Sequence, residues 1–424
     1  MFKYRARKQF AFLFMFAATS LSLLLSAPVP ASAQPTGYQE YYVLGYEEHV
    51  WRAFLAINDG DDSGIKASNI CSTVSLVATA DHQVVYYDHW EDGYETDLLN
   101  PTQDTTRIYG DGDVSNGGSG SDTLLAGADV NLTSDQGVGG PNVITATVPV
   151  SPTRNSSYIR YDGGDRVITS GGPVDLTHAM WPDGASWVGG AWETYSRQAY
   201  AGAYFYHLPI GEDLYNFGGG DNGAYGDFRN VYLQLGAFEN NTTVSIDNGV
   251  DMVNLTLDRG QTYSSMGHIN STSVPSITIN AGATIRSNKS IQVGLLTGAD
   301  GGFQGRFLTV LPDQQWGADY IVPVPRGYGR DDDDGYQDAP AEIYLFNPND
   351  FPVEIQAYDA ITQTSFVISS TDNVSATIPY SQLRGSYVPQ DSAARFTSAD
   401  GVFGVVVCAD TSRIDYDWGF SGIP

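Results

Sequence analysis

A short pattern of two strands joined by a polar turn occurs three times in the chain and decides the fold class. It reads Ile168-Thr-Ser170-Gly-Gly-Pro-Val174, then Ile285-Arg-Ser287-Asn-Lys-Ser-Ile291, then Phe396-Thr-Ser398-Ala-Asp-Gly-Val402. Each copy has an apolar residue, a serine two positions later, a turn and a second apolar strand. The three serines are almost equally spaced along the chain, which favours an internal repeat over chance.

The strands upstream of each copy also recur. Segments that begin Val74-Ser-Leu, Val231-Tyr-Leu and Ile343-Tyr-Leu each lead into a polar turn and another strand. β-Branched and aromatic residues fill these runs, and Gly, Asn, Asp or Pro bound them. One short helix is predicted over residues 46–55. The sequence therefore predicts an all-β protein of three tandem related β-sandwich-like (Ig-like) units with long loops, unless unrelated strands merely look alike.

This repeat divides the chain into consecutive segments. They are a signal peptide (1–33), an N-terminal segment (34–70), a first unit with an Asp/Gly-rich insertion (71–181), an aromatic and Gly-rich excursion (182–228), a second unit (229–319) and a third unit (320–424).

The N-terminus and the charge indicate an extracellular protein. A basic start, an apolar run from Phe10 to Leu25 and the small residues Ala31-Ser-Ala33 form a secretory signal peptide, so the mature chain begins near Gln34. The 49 acidic and 21 basic residues give a net charge of −28, which repels nucleic acids and anionic lipids. We expect a secreted or cell-surface protein with no nucleic-acid partner and no membrane insertion after signal cleavage.

The chain has two cysteines, Cys71 and Cys408. Outside the cytoplasm, one disulfide between them would tie the beginning of the mature chain to its end. Two buried free thiols are the alternative, because sequence does not show whether the residues meet.

Two Asp-rich turns predict Ca²⁺ as a cofactor, because hard cations bind closely spaced oxygen ligands on flexible turns. Neither turn has the glutamate that ends an EF-hand loop. The predicted ligands are Asp59, Asp61, Asp62, Asp111, Asp113 and Ser115.

Aromatic residues in a Gly-rich segment predict a ligand-binding surface, since exposed rings stack on sugars and anchor protein interfaces. The alternative is that these rings fill the joint between the first two units. The candidates are Trp181, Trp187, Trp192 and Tyr195.

The densest polar cluster is Asp88-His89-Trp90-Glu91-Asp92-Gly-Tyr-Glu95. Carboxylates beside a histidine suit a metal site or an acid/base pair. On a continued strand, however, Asp88 and Asp92 would face away from His89 and Glu91, which favours a structural role.

A later stretch resembles the N-terminal domain family of IgGFc-binding proteins. Ile285-Arg-Ser-Asn-Lys-Ser-Ile-Gln-Val is followed by Leu311-Pro-Asp-Gln-Gln-Trp316-Gly-Ala-Asp-Tyr320-Ile-Val-Pro323, which is similar to that family's strand, turn, strand and L-P-x-x-x-W-G-x-x-[FY]-x-x-P pattern. The likeness covers roughly residues 140–424. The segment from Tyr86 to Glu95 also resembles large bacterial surface proteins that carry such domains.

The resemblance implies a secreted or surface-displayed β-rich module associated with mucus or adhesion, with no catalytic residues to carry over. The chain departs from animal members in having only two cysteines. We expect a non-catalytic adhesion or binding module that recognises a glycan or an extracellular protein. The alternatives are an extracellular carbohydrate-active enzyme that uses Asp88, Glu91 or Asp92, and a self-associating matrix protein.

Overall fold

The computed structural model describes most of the chain between residues 37 and 421. The described ranges are 37–57, 70–98, 100–110, 129–133, 149–150, 156–182, 189–217, 228–267, 274–298, 305–324, 329–330, 336–337, 341–359, 363–365, 375–388, 392–409 and 418–421. Several predictions lie outside them: the signal peptide, all six calcium ligands and Trp187.

Strands make up 49% of the structure and helices 7%, which confirms the all-β class. The few helices are α1 (Glu47–Ile57), α2 (Asp213–Phe217) and a 3-10 turn (Asp313–Gln315). Helix α1 confirms the short helix predicted over residues 46–55. None of the helices that the structure describes is both long and apolar enough to cross a membrane.

The first set of strands forms two antiparallel sheets. The strands are β1 (Tyr38–Tyr42), β2 (Ile70–Ala78), β3 (Val84–Asp88), β4 (Arg107–Tyr109), β5 (Asp129–Thr133), β6 (Pro149–Val150), β7 (Arg166–Ser170), β8 (Val174–Pro182) and β9 (Gly190–Thr194). One sheet has the order β1-β7-β3-β4, and the other has the order β5-β2-β8-β9, with β6 also pairing with β2.

The second set repeats this arrangement. Its strands are β10 (Phe205–His207), β11 (Asn230–Ala237), β12 (Thr242–Asp247), β13 (Met252–Leu257), β14 (Thr262–Ser264), β15 (Thr284–Ser287), β16 (Ile291–Gly298) and β17 (Arg306–Val310). The sheet orders are β10-β15-β12-β13 and β14-β11-β16-β17.

The third set follows the same order again. Its strands are β18 (Asp319–Val324), β19 (Gly329–Arg330), β20 (Tyr336–Gln337), β21 (Ala341–Phe346), β22 (Val353–Asp359), β23 (Thr364–Ser365), β24 (Ser375–Ile378), β25 (Leu383–Val388), β26 (Ser392–Thr397), β27 (Gly404–Ala409) and β28 (Trp418–Ser421). One sheet has the order β18-β26-β22-β23, and β24 also pairs with β22. The other sheet has the order β25-β21-β27-β28, while β19 and β20 pair with each other.

The repeated sequence pattern lies at the same place in every set. Ser170 and Ser287 end β7 and β15, and Ser398 directly follows β26. In each case the next strand, which is β8, β16 or β27, belongs to the other sheet of the set. The pattern is therefore the connection that carries the chain from one sheet to the other.

Each pair of sheets shares one buried apolar cluster. In the first set, Val74 and Leu76 of β2 lie in the same cluster as Val85 and Tyr87 of β3. Strand β8 alternates buried and more exposed residues, as a strand with one core-facing side does. Strand β16 is buried along its whole length, because neighbouring elements cover both of its faces.

The sets are also packed against one another within the single compact unit that spans Gln39–Pro424. Strand β9 contacts β17, and β17 contacts β28. The large core cluster around β11 and β16 includes Tyr42 of β1 together with Tyr344 and Cys408 of the third set. Strands β1 and β9, which lie outside residues 71–181, belong to the same sheets as strands within that range.

Cys71 and Cys408 do not form a disulfide with each other, because they lie on strands of different sheets. Cys71 lies on β2, where it pairs with Pro149 and Trp181, whereas Cys408 lies on β27, where it pairs with Glu342 and Gly419. Both side chains are buried.

Candidate functional site

Antiparallel pairing of β3 with β7 brings two polar turns together. Asp88 ends β3 and is opposite Arg166, which begins β7. The turn that follows β3 carries His89 and Glu91, and Asp165 directly precedes β7. Because β3 ends at Asp88, the alternation expected for a continued strand does not apply beyond it. His89, Glu91 and Asp165 are therefore free to converge.

These three side chains form a buried cluster. Each offers one nitrogen or oxygen atom, and these atoms lie within 4.8 Å of one another. The exposed fractions are 2% for His89, 8% for Glu91 and 0% for Asp165. The rings of Tyr87 and Tyr161 lie 5.2 Å and 4.9 Å from the imidazole of His89 and shield it from water.

Asp165 is held in place by hydrogen bonds to both carboxylate oxygens. Its Oδ2 accepts from the Tyr87 hydroxyl at 2.8 Å and from the backbone N–H of Asp162 at 3.0 Å. Its Oδ1 accepts from the backbone N–H of Trp90 at 3.2 Å. His89 Nδ1 lies 3.4 Å from Oδ2. These hydrogen bonds hold the carboxylate of Asp165 in one orientation.

Glu91 is less completely satisfied. Its Oε1 accepts from the backbone N–H of Arg160 at 2.8 Å, but Oε2 is buried and has no hydrogen-bond partner among the residues that the structure describes. Burial raises the pKa of Glu91 to about 8, and the charge of Asp165 adds to the increase. Burial lowers the pKa of His89, but the Asp165 carboxylate outweighs it, so the net shift is upward.

Asp88 lies beside the cluster and belongs to a different network. It is fully buried, and its Oδ2 accepts from the Glu95 backbone N–H at 3.1 Å. Burial raises the pKa of Asp88 to about 7, although Arg166 at 3.9 Å favours the charged form. The guanidinium of Arg166 binds Glu40 more closely, at 2.7 Å.

A second constellation resembles a hydrolase triad only in composition. Ser72 Oγ donates to Glu47 Oε1 at 2.8 Å and lies 2.9 Å from Nε2 of His178. Glu47 is also on the Nε2 side, and Nδ1 of His178 faces the backbone oxygen of Leu44 at 2.8 Å. A triad needs its acid on the opposite ring nitrogen and an open nucleophile. This buried group therefore joins α1 to β2 and β8.

An open groove of about 710 Å³ lies next to the buried cluster, between the first and second sets of strands. We call it the aromatic groove. Its walls come from α1 and the residue before it, the turn after β3, and the strands β13 and β14. Aromatic rings and polar side chains line it, among them Tyr46, Glu48, His49, Trp90, Tyr94, Asn254, Thr256, Arg259, Gln261 and Tyr263.

The polar ends of the groove's rings are tied to the protein. Tyr46 donates to the oxygen of Gly260 at 3.0 Å, and Trp90 Nε1 donates to Asp162 Oδ1 at 2.8 Å. Tyr94 donates to a backbone oxygen of Gly164, and the guanidinium of Arg259 lies 5.1 Å from its ring. The half-buried rings of Tyr46, Trp90 and Tyr94 are thereby held in fixed orientations.

Three of the four residues predicted to form an aromatic surface lie in the described part of the chain, namely Trp181, Trp192 and Tyr195. Trp192 is fully buried, its ring is 4.4 Å from that of Phe307, and its Nε1 donates to the oxygen of Leu295 at 3.0 Å. It fills the joint between the first two sets, which was the alternative interpretation. Tyr195 packs against Tyr200 and donates to Glu193, and Trp181 is half-buried on β8.

Sequence reasoning found His89 and Glu91 but missed Asp165. The available signal was the turn Asp162-Gly-Gly-Asp165-Arg166 immediately before a repeated strand. The pairing of β7 with β3 places that turn beside the end of β3. The aromatic groove had no such signal, because its residues come from four separated stretches of the chain.

Comparisons with known proteins return nothing: no protein-family model, curated protein or solved structure matches the chain.

Proposed function

We propose that the chain consists of three tandem related β-sandwich-like units. The recurrence of one strand order in all three sets supports this, as does the shared apolar cluster of each pair of sheets. A tyrosine on the first strand of each set also makes the same kind of contact. Tyr41, Tyr206 and Tyr320 donate to the backbone at the start of β8, at the start of β16 and just before β27.

The function that we propose is a secreted, non-catalytic binding module that takes a saccharide in the aromatic groove. The single observation that carries this is the row of three half-buried rings, Tyr46, Trp90 and Tyr94, in a groove of about 710 Å³. Sugar faces stack on aromatic rings, and sugar hydroxyls need hydrogen-bonding groups beside them. The exposed side chains of Asn254, Thr256 and Gln261 supply such groups.

The enzyme alternative has less support from the geometry. Asp88 and Glu91 are buried, and neither they nor Asp92 line the groove. Glycoside hydrolysis needs two carboxyl groups on either side of a bound sugar. The self-associating matrix alternative has no specific contact in its favour. Calcium binding at the two Asp-rich turns and the likeness to the IgGFc-binding family stay predictions.

The test is a glycan and glycoprotein array probed with the chain from Gln34 onward, with calcium and again with EDTA. We expect retention on a defined saccharide class. Trp90→Ala and Asn254→Ala should each weaken binding about tenfold, which is ~1.4 kcal/mol. The matched control is Tyr380→Ala, since Tyr380 is an exposed aromatic residue outside the groove.

An array that stays blank in both buffers contradicts saccharide binding. Binding that persists in both groove variants contradicts the choice of site. Concentration-dependent growth of light scattering by a chain that binds no saccharide would instead favour the matrix alternative.

A further inference from the structure

We propose that His89, Glu91 and Asp165 bind one first-row transition-metal dication, with Zn²⁺ as the best match. This site is distinct from the predicted calcium turns and independent of whether the aromatic groove binds a saccharide.

The first argument is convergence. Two carboxylates and one imidazole from different parts of the chain offer ligand atoms within 4.8 Å of one another, and all three side chains are buried. Surface acidic groups meet by chance, but burying two carboxylates together is costly unless a positive charge compensates them. A dication supplies that charge.

The second argument is the unsatisfied oxygen of Glu91. The residue is 92% removed from solvent, yet Oε2 has no hydrogen-bond partner among the residues that the structure describes. Buried carboxylate oxygens normally have a hydrogen-bond partner, and a bound ion can take the place of that partner. Asp165 and His89 are the neighbouring ligands.

The third argument is the support around the ligands. His89 Nδ1 lies 2.5 Å from the backbone oxygen of Arg160 and 3.4 Å from Oδ2 of Asp165, which fixes the ring beside the two carboxylates. Asp165 is oriented by Tyr87, Asp162 and Trp90. At metal sites, hydrogen bonds from neighbouring groups usually orient the ligand side chains.

The donor set selects the class of metal. Ca²⁺ and Mg²⁺ take oxygen ligands, whereas an imidazole nitrogen with carboxylate oxygens suits zinc and its neighbours. Three protein ligands also leave coordination positions for water.

Metal binding would reach the groove through Trp90. This residue stands between the ligands His89 and Glu91, and its backbone N–H donates to the third ligand, Asp165. Its ring lines the groove. A metal ion would therefore change the electrostatic surroundings of the tryptophan ring.

The experiment uses the full mature chain, stripped of metal and kept in excess Ca²⁺ to occupy sites that have only oxygen ligands. Titration with ZnCl₂ is followed by calorimetry, and bound zinc is counted by elemental analysis after gel filtration. We expect one Zn²⁺ per chain and a higher melting temperature. Tryptophan fluorescence should change on binding, and that change should be absent from Trp90→Phe although the stoichiometry is kept.

Glu91→Gln and His89→Gln should each weaken Zn²⁺ binding by more than about tenfold. The matched control is His207→Gln, because His207 is a buried histidine on β10, in the second set, and its Nδ1 pairs with Asp313 at 2.6 Å. That variant should keep its zinc. Circular dichroism and the melting temperature establish that each variant is folded.

Two results overturn the proposal: a wild-type chain that retains no stoichiometric zinc, or zinc binding that survives both ligand variants. If the variants do not fold, Co²⁺ is added to the wild-type chain. Visible d–d absorption of low-coordinate cobalt supports the site, and its absence overturns it. A blank glycan array has no bearing on any of these readouts, so the two proposals fail separately.

Discussion

Three tyrosine hydroxyls perform the same task in the three sets of strands. Tyr41 donates to Val174 at 3.1 Å and accepts its N–H at 2.9 Å. Tyr206 and Tyr320 donate to Ile291 and Phe403 at 2.5 Å and 2.6 Å. Each hydroxyl fixes the first strand of its set to the beginning of the strand that follows the repeated turn. Burial raises the pKa of Tyr41 and of Tyr320 to about 12, so all such hydroxyls stay protonated donors.

Replacing any of these tyrosines by phenylalanine should lower the free energy of unfolding by about 1–3 kcal/mol, because a buried carbonyl loses its donor. Urea unfolding of the Tyr41, Tyr206 and Tyr320 variants measures this. Tyr204→Phe is the control, since Tyr204 is half exposed and should change stability little. If only one of the three variants lost stability, the three tyrosines would not have equivalent roles.

Glu40 is the centre of a network of ion pairs between the first two sets of strands. It binds Arg166 at 2.7 Å and Arg197 at 3.2 Å, and Arg197 in turn binds Glu239 at 2.7 Å. Tyr42 donates to the same carboxylate at 3.0 Å. Burial alone would raise the pKa of Glu40, but the two guanidinium groups outweigh it and hold the pKa below its ordinary 4.5.

A carboxyl whose pKa is lowered by folding stabilises the protein above its unfolded pKa and loses that effect as pH falls through the folded value. Glu40→Gln should therefore be less stable than wild type at neutral pH, and the difference should shrink as the pH falls below 4.5. Unfolding free energies of both proteins over a pH series measure this. A difference that does not change with pH would contradict it.

At the scale of elements, the side chain of Trp192 on strand β9 packs against the second set of strands. Trp192 on β9 contacts Phe307 of β17, and its Nε1 donates to Leu295 of β16. A Cβ atom at Gly294 would lie 2.7 Å from that indole nitrogen, so the glycine gives the ring its space. A larger residue at position 294 would clash with the indole of Trp192.

Trp192→Ala should lower the free energy of unfolding by about 3–5 kcal/mol, because it leaves a cavity and an unpaired carbonyl. Thermal or urea unfolding measures the loss. Trp181→Ala, on a half-buried ring of the adjacent strand β8, is the matched control and should cost less. Equal losses would mean that Trp192 has no special role in the joint.

The sequence predicted the elements better than the site. Alternation and the repeated serines indicate strands and their order because those patterns are local. Trp192 was assigned to a binding surface, but it is core, since a large ring in a Gly-rich segment looks the same whether exposed or buried. Asp165 was missed because it meets His89 only through the pairing of β3 with β7, which is a long-range contact.

At the scale of the molecule, the core of the second set draws residues from both of its neighbours. Tyr42 of the first set and Tyr344, Val406 and Cys408 of the third lie in its cluster. The rings of Phe228 and Tyr344 are 4.9 Å apart across this contact. The middle set therefore holds the other two by apolar packing.

The central strand pairs differ in how much chain they enclose, and this affects the order of folding. In each pair, the loop is measured between the two paired residues that are closest along the sequence. These are Ala78 and Val174 for β2–β8, Ala237 and Ile291 for β11–β16, and Phe346 and Gly404 for β21–β27. Closing nearly twice as long a loop costs about 0.6 kcal/mol more in chain entropy. We expect the amides of β2 that bond to β8 to gain protection last in pulse-labelled hydrogen exchange during refolding. During synthesis, β2 can pair with β5 first, but its other edge has no partner until β8 has been made. The N-terminal end of the protein is therefore where a newly made chain leaves one edge of a strand unpaired the longest.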